Sequence, residues 1–479
     1  MLLTIRNFLL AAIVALQIYE STQLGPKHNK VVVCYVSTWA VYRPSKGSFT
    51  LDDIDPTQCT HLIYAFAGLD IMQNHIKSLD PWQDLPDDYG KDGFNTLTKL
   101  RNNYPHLKIT LAIGGWNEGS VNYSKLASDP ERRSTFVKQS LEFIRKYKFD
   151  GLDLDWEYPA NRGGNPEDKE NFVHLVRELK TEYQKYGLIV TSAIGAAKNT
   201  IDTAYDIPEL SKYLDFLHIM CYDYGGAWDK RVTANAPLKN DGVLSVEYTI
   251  EYLMQLGAPA SKIVVGLPFY GRTFISELEG RLGDSADSVG FKGPYTNENG
   301  FMGYNEICSA LENSTFNWTK EWHDDSSEMV ARYLDPVTGK GHAVTYDTTR
   351  SIANKIRFVV RKDLAGAMSW SIDTDDFKGI CPEETDTYVD FGHYPGVKLN
   401  FPTDKKGRFK LLKTINEAFI IANNEWQQEK DLELAKKQAE MDRENEIPHG
   451  PHEHHNAGSV SRAFLGVVVL PFVLLIAAL

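Results

Sequence analysis

Eight short apolar runs recur along this chain, most of them far enough apart for a helix between. They are VVVCYV (31–36), HLIYAF (61–66), ITLAIG (109–114), GLDLDW (151–156), LIVTSAIG (188–195), FLHIMCY (216–222), KIVVGLPF (262–269) and AGAMSWS (365–371). Near-continuous hydrophobic strands are typical of parallel strands covered on both faces. The segments between them, such as 130–147 and 168–186, are charged and periodic in the manner of amphipathic helices. Eight β-then-α units predict an α/β fold, a (β/α)8 TIM barrel, with a doubly wound sheet as the alternative. With 479 residues and 42% hydrophobic content the chain can bury one large core of this kind.

The fourth run carries charge where the pattern calls for none. In FDGLDLDWEYP (149–159), Asp153, Asp155 and Glu157 alternate with Leu152, Leu154 and Trp156. Residues two apart on a strand share a face and lie ~6–7 Å apart. Three carboxylates on one face cannot all ionise cheaply, so at least one should keep its proton near neutral pH. A neutral carboxylic acid at the open end of a strand suits a general acid that protonates a leaving-group oxygen. Calcium binding fits the spacing poorly, because calcium loops gather their oxygens around a turn.

With Asp150, this ladder fits the pattern DxxDxDxE, and by it the chain resembles the glycoside hydrolase family 18 chitinases. KITLAIGGWN (108–117), FLHIMCYDY (216–224) and GAMSWSIDTDD (366–376) are similar, in order, to that family's third-, sixth- and eighth-strand motifs. VVCYVSTWAVYRP (32–44) and DIDPTQCTHLIYAF (53–66) look like its insect and arthropod members, and the likeness extends over about residues 30–425.

The resemblance implies an endo-acting chitinase that hydrolyses β-1,4-linked N-acetylglucosamine polymers with retention and needs no cofactor or metal. In its substrate-assisted mechanism the acetamido oxygen of the sugar attacks C1 in place of an enzyme nucleophile. Glu157 would serve as general acid and then base. Asp155 would hold the acetamido N–H, Asp153 would share a proton with Asp155, and Tyr222 would donate to the acetamido oxygen. Asp150, of opposite parity, reads as structural. Trp370 would form the floor under the sugar, with Tyr35 and Phe66 lining the central pocket and Trp116 at the groove. Met220 and Asp223 flank Tyr222 as further contacts, Tyr270 and Arg272 supply polar ones, and Trp39 and Trp228 read as outer platforms. The rival reading is a chitin-binding lectin or growth-factor-like relative; such relatives typically lose the acid that this chain keeps. An endoglycosidase acting on N-linked glycans is a third reading, disfavoured by the long insertion and the many Trp platforms.

One departure falls in the groove loops. Many animal relatives have His in a pattern like YDxHGxW, where this chain has YDYGGAW with Gly225 at that place. The segment KRVTANAPL (230–238) also lacks the usual Gly-His-Asn.

Other segments place the protein in the secretory pathway. FLLAAIVAL (8–16) reads as the core of a signal peptide spanning 1–22. The five cysteines then imply two disulfides. The family pattern pairs Cys34 with Cys59 and Cys308 with Cys381, leaving Cys221. Sequons at Asn122, Asn313 and Asn317 are candidate glycosylation sites. Within a catalytic region at 28–425, the Gly-, Asn- and Ser-containing stretch 273–345 matches the family's small α+β insertion, which forms one groove wall. LLKTINEAF (411–419) looks like the last barrel helix. A charged linker follows at 426–458, as exposed helix or spacer, and its HGPHEHH (449–455) reads as solvated rather than metal-binding. AFLGVVVLPFVLLIAAL (463–479), within a hydrophobic tail at 459–479, resembles a glycosylphosphatidylinositol-anchor signal; a retained membrane helix and release are the alternatives. The expected partners are chitin or chitooligosaccharides and a membrane through this tail. A net charge of −13 argues against nucleic acid, and the expected state is a monomer at the extracellular face.

Overall fold

The apolar runs pair edge to edge and close into a ring in the computed structural model, which describes residues 24–382 and 407–445. The chain opens with β1 (Val31–Ser37) and β2 (His61–Asp70), and β3 (His75–Ser78) folds back antiparallel on β2. Then come β4 (Lys108–Gly114), β5 (Gly151–Asp155), β6 (Ile189–Gly195), β7 (Phe216–Met220) and β8 (Ile263–Pro268). A second sheet is interposed here: β9 (Tyr270–Ser276), β10 (Phe301–Gly303), β11 (Thr319–His323), β12 (Glu328–Leu334) and β13 (Gly341–Tyr346). The last barrel strand is β14 (Gly366–Trp370), and its parallel pairing with β1, Val31 opposite Gly366, completes the circle. Every barrel strand lies beside its predecessor and successor in sequence, the order of a (β/α)8 barrel.

Local sequence explains the outer ring. The helix Pro130–Lys146 starts where Asp129 accepts the backbone N–H groups of Glu131 and Arg132, with Pro130 as its first residue. Its buried stripe is Phe136, Val137, Ser140, Leu141 and Ile144. The helix Asp168–Tyr183 buries Phe172, Val176, Leu179 and Tyr183 at the same spacing. Strand residues of one parity, Val32, Cys34 and Val36 among them, join that helix-covered core. Those of the other parity, Val33, Tyr35, Ile63, Ala65, Ala112, Val264 and Met368, pack together inside the ring. Asp153 pairs in register with Ala112 and Thr191, which puts it in the same interior.

The second sheet is antiparallel in the order β10-β9-β13-β12-β11, and with the helix Tyr304–Leu311 it makes a small α+β insertion between the seventh and eighth barrel strands. It begins at Tyr270, three residues before the stretch marked out by composition, because YGRTFIS continues as a strand with only Phe269 after β8. A buried charge cluster fastens it. Lys355, from the helix Thr349–Arg361, donates to both oxygens of Asp347 at 2.6 Å. Beside them Glu328 Oε1 accepts the Ala236 N–H at 2.9 Å, while its Oε2 is buried without a partner. Burial pushes Glu328 up to about 8 and Asp347 up to about 6. Near neutral pH Glu328 is therefore the carboxyl of the two that keeps its proton.

Disulfides join Cys34 to Cys59 and Cys308 to Cys381. Cys221 is free and buried, and burial pushes its thiol up to about 12, so it is inert as a nucleophile. Asn313 and Asn317 are exposed, whereas Asn122 is half-buried within the helix Val121–Ser128. The final helix, Lys410–Asn445, runs well past the segment 411–419 read from its apolar pattern. Up to Gln428 it belongs to the unit that contains the barrel; in the second unit, every residue from Lys430 to Arg443 is exposed. The signal-peptide segment, the histidine tract and the apolar tail lie outside the described residues. Among the described residues no helix is long and apolar enough to cross a membrane.

Candidate active site

At the C-terminal ends of the barrel strands lies an open cleft of about 1320 Å³. Asp155, Glu157, Tyr222, Tyr35, Phe66, Trp116, Met220, Asp223, Tyr270, Arg272, Trp370, Trp39 and Trp228 all line it. Asp153 alone of the expected contact residues is not among them; it sits fully buried in the barrel interior.

The ladder keeps its alternation but outruns its strand. β5 ends at Asp155, the last residue in register with β4, so Glu157 stands in the following loop rather than on a final strand rung. Asp153 Oδ2 accepts the Tyr35 hydroxyl at 2.7 Å, and its Oδ1 accepts the Thr191 hydroxyl at 2.5 Å and lies 3.1 Å from His218 Nδ1. Both Asp153 oxygens are thereby engaged away from Asp155, whose Oδ1 is buried without a partner. Burial holds Asp155 well above the usual carboxylate range, and the charges of Glu157 and Asp153 add to the rise. Burial also pushes Glu157 up to about 7, with Tyr158 and Arg162 pulling it back and Asp223 adding to it. Two adjacent carboxyls that resist ionisation leave the mouth of the barrel with a proton to give at neutral pH.

The loop after β7 supplies the facing wall. Tyr222 is packed edge-on against Tyr270, ring centroids 6.0 Å apart. Asp223 has a left-handed backbone, φ +57°, held by its N–H donating to Asn235 Oδ1 at 3.0 Å. Its carboxylate takes the Arg272 fork, Nε and Nη2 each at 2.7 Å, and the Tyr270 hydroxyl at 2.7 Å. Arg272 in turn lies 5.0 Å over the Trp228 ring.

Aromatic rings make the floor. Trp370 lies 5.5 Å from Tyr35, 5.8 Å from Phe66 and 6.3 Å from Trp39, centroid to centroid. Trp39 stacks on Phe66 at 6.0 Å, which joins it to this central group, and it remains 44% exposed. Trp116 and Trp228 remain 59% and 52% exposed, and each has a guanidinium over one face, Arg162 at 3.5 Å and Arg272 at 5.0 Å, which leaves the opposite face for a flat apolar sugar surface.

Sequence reasoning passed over several neighbours of the site. Thr191 and His218 share the inward strand parity of Asp153 and Met220, and that parity was a usable signal. Arg162, whose guanidinium lies 3.5 Å over Trp116, and Asn235 come from loops, where no periodicity marks them. Among the described residues no group of three or more His, Cys, Asp or Glu is placed to hold a metal ion.

An acid beside a second carboxyl, at a barrel mouth floored with aromatic rings, is the equipment of a glycosidase. The model of the glycosyl hydrolases family 18 matches residues 31–375. The chain belongs to this family. This family 18 glycoside hydrolase is 54% identical over 452 residues to Probable chitinase 2 of Drosophila melanogaster, covering 94% of this chain and 91% of that one. The crystal structure of Ostrinia furnacalis Group IV chitinase in complex with allosamidin is similar at TM-score 0.72 and 37% identity, over 82% of this chain and 99% of that one. Human YKL-39, a pseudo-chitinase with retained chitooligosaccharide binding properties, is similar at TM-score 0.69 and 29% identity, over 81% of this chain and 99% of that one.

Proposed function

We propose that this family 18 enzyme is a chitinase that cleaves β-1,4 linkages between N-acetylglucosamine units with retention, and that Glu157 is its general acid. The observation that carries this reading is the Glu157 carboxyl at the cleft, lifted to about 7 beside a second raised carboxyl, Asp155. Glu157 gives its proton to the glycosidic oxygen as the acetamido oxygen of the same sugar closes on C1. Asp155 accepts the acetamido N–H on a carboxyl oxygen and so orients the acetamido group, while the Tyr222 hydroxyl donates to the acetamido oxygen. Glu157, now a carboxylate, takes a proton from the water that attacks C1 and opens that ring.

Exposed Trp116 follows β4 and exposed Trp228 follows β7, on either side of the loop that carries Glu157. Stacking surfaces on both sides favour a polymer lying across the cleft and cleavage within the chain. Export and lipid anchoring at the cell surface rest on the apolar segments 8–16 and 463–479. Hydrolysis of a chromogenic chitotriose and of colloidal chitin tests the activity. The variant Glu157→Gln should lose at least ~100-fold in kcat while still binding chitin. A folded wild type that binds chitin and releases no product would instead support the lectin reading.

A further inference from the structure

Ser120 occupies a helix N-cap position, at the head of Val121–Ser128, yet its side chain does not cap that helix. A serine there ordinarily accepts an N–H of the first turn. This hydroxyl points elsewhere, into the loop after β5. It accepts the indole N–H of Trp156 at 3.0 Å and donates to the Tyr158 carbonyl oxygen at 2.7 Å. The two partners are the residues on either side of Glu157. Ser120 is 1% exposed and Trp156 2%, so water has little access to either bond.

We propose that Ser120 is the positioning residue for Glu157, its single hydroxyl fixing residues 156 and 158 and so setting where the acid between them stands. The inference rests on Glu157 being the general acid. Glu157 lies beyond the end of β5 and has lost the ladder of strand hydrogen bonds that orients Asp153 and Asp155. Something else must hold it, and the Ser120 hydroxyl is tied to both of its flanking residues. Arg162 supports the same loop, its Nη1 donating to the carbonyl oxygens of Glu157 at 3.0 Å and Trp116 at 2.9 Å. Ser120 touches neither the Glu157 carboxyl nor any sugar contact assigned above, so its effect passes through the backbone.

The test compares Ser120→Ala, Ser120→Cys and wild type on a chitotetraose substrate, with Glu157→Gln alongside and thermal unfolding of each. Displacing a catalytic group by ~1 Å can cost ~100-fold in rate. Ser120→Ala should therefore lose ~10- to 100-fold in kcat with KM changed by less than ~3-fold. Its loosened loop admits water to Glu157, so the alkaline limb of the kcat/KM profile should move down by about half a pH unit or more. Ser120→Cys keeps the shape with a weaker donor and acceptor. It should fall between the two, and it carries the comparison if Ser120→Ala does not fold. Wild-type kcat and an unmoved alkaline limb in the folded variants, with Glu157→Gln inactive, would overturn the positioning role alone. An active Glu157→Gln would overturn the assignment of the acid itself.

Discussion

The buried cluster behind the cleft wall yields a prediction whose size can be worked out. Glu328, 1% exposed, accepts the Ala236 N–H on its Oε1 at 2.9 Å, and its Oε2 is buried without a partner. Burial lifts it from an ordinary 4.5 to about 8. A carboxyl raised on folding contributes its stability below its unfolded pKa and loses it as pH climbs through the folded one. Each pH unit between the two is worth about 1.4 kcal/mol, so this group alone should drain on the order of 3–5 kcal/mol between about pH 4.5 and about pH 8. Glu328→Gln keeps an oxygen for the Ala236 N–H and removes the titration. At about pH 5 the variant and the wild type should unfold at nearly the same guanidinium midpoint. At about pH 8.5 the variant should be the more stable by several kcal/mol, roughly, within that range. A difference that is the same at both pH values would refute the reasoning. A variant less stable on the alkaline side would show Glu328 ionised and held by Lys355, so that the cluster has an anion where a neutral acid is inferred.

Two further outcomes follow from the cleft. Glu157 must carry its proton to protonate a leaving oxygen, and burial places its titration at about 7. The kcat/KM on an uncharged chitooligosaccharide should therefore fall as pH rises through about 7, as a pH–rate series would show. Arg272→Lys replaces a two-pronged bond to Asp223 with a point charge. It should raise KM ~10-fold with a smaller change in kcat, read from initial rates on chitotetraose.

The barrel was legible because its strands are buried on both faces, which forces uninterrupted apolar runs such as KIVVGLPF. The acidic ladder was legible for the opposite reason, since carboxylates alternating with Leu152 and Leu154 break that rule on one face only. Strand parity also contained His218 and Thr191, two residues that read as packing until their distances to Asp153 are known. Loop partners carry no such signal. Ser120 lies 36 residues before Trp156, and Arg272 lies 49 after Asp223, so their pairings are set only when the barrel closes. The end of β5 was missed by the same logic: alternation continues to Glu157, but the neighbouring strand stops offering partners at Gly114. The last helix continues beyond its apolar stretch, as the exposed-helix reading of that region allowed, because Lys, Glu, Gln and Ala are good helix formers on an exposed segment too.

The splice that joins the insertion to the barrel bears on how the proposed polymer would enter. Only Phe269 separates β8 from β9; its N–H donates to the Trp370 carbonyl at 2.9 Å, and its own carbonyl accepts the Tyr304 N–H at 2.9 Å. β13 leads within three residues into the helix Thr349–Arg361, and Cys308–Cys381 ties the insertion to the segment after β14. The wall is thus tied to the barrel at both of its chain ends and again by a disulfide. For the proposed polymer substrate the groove is then a gauge that the chain of sugars has to fit. Selection for longer or shorter substrates then works on the outer loops, with the rim left as it is.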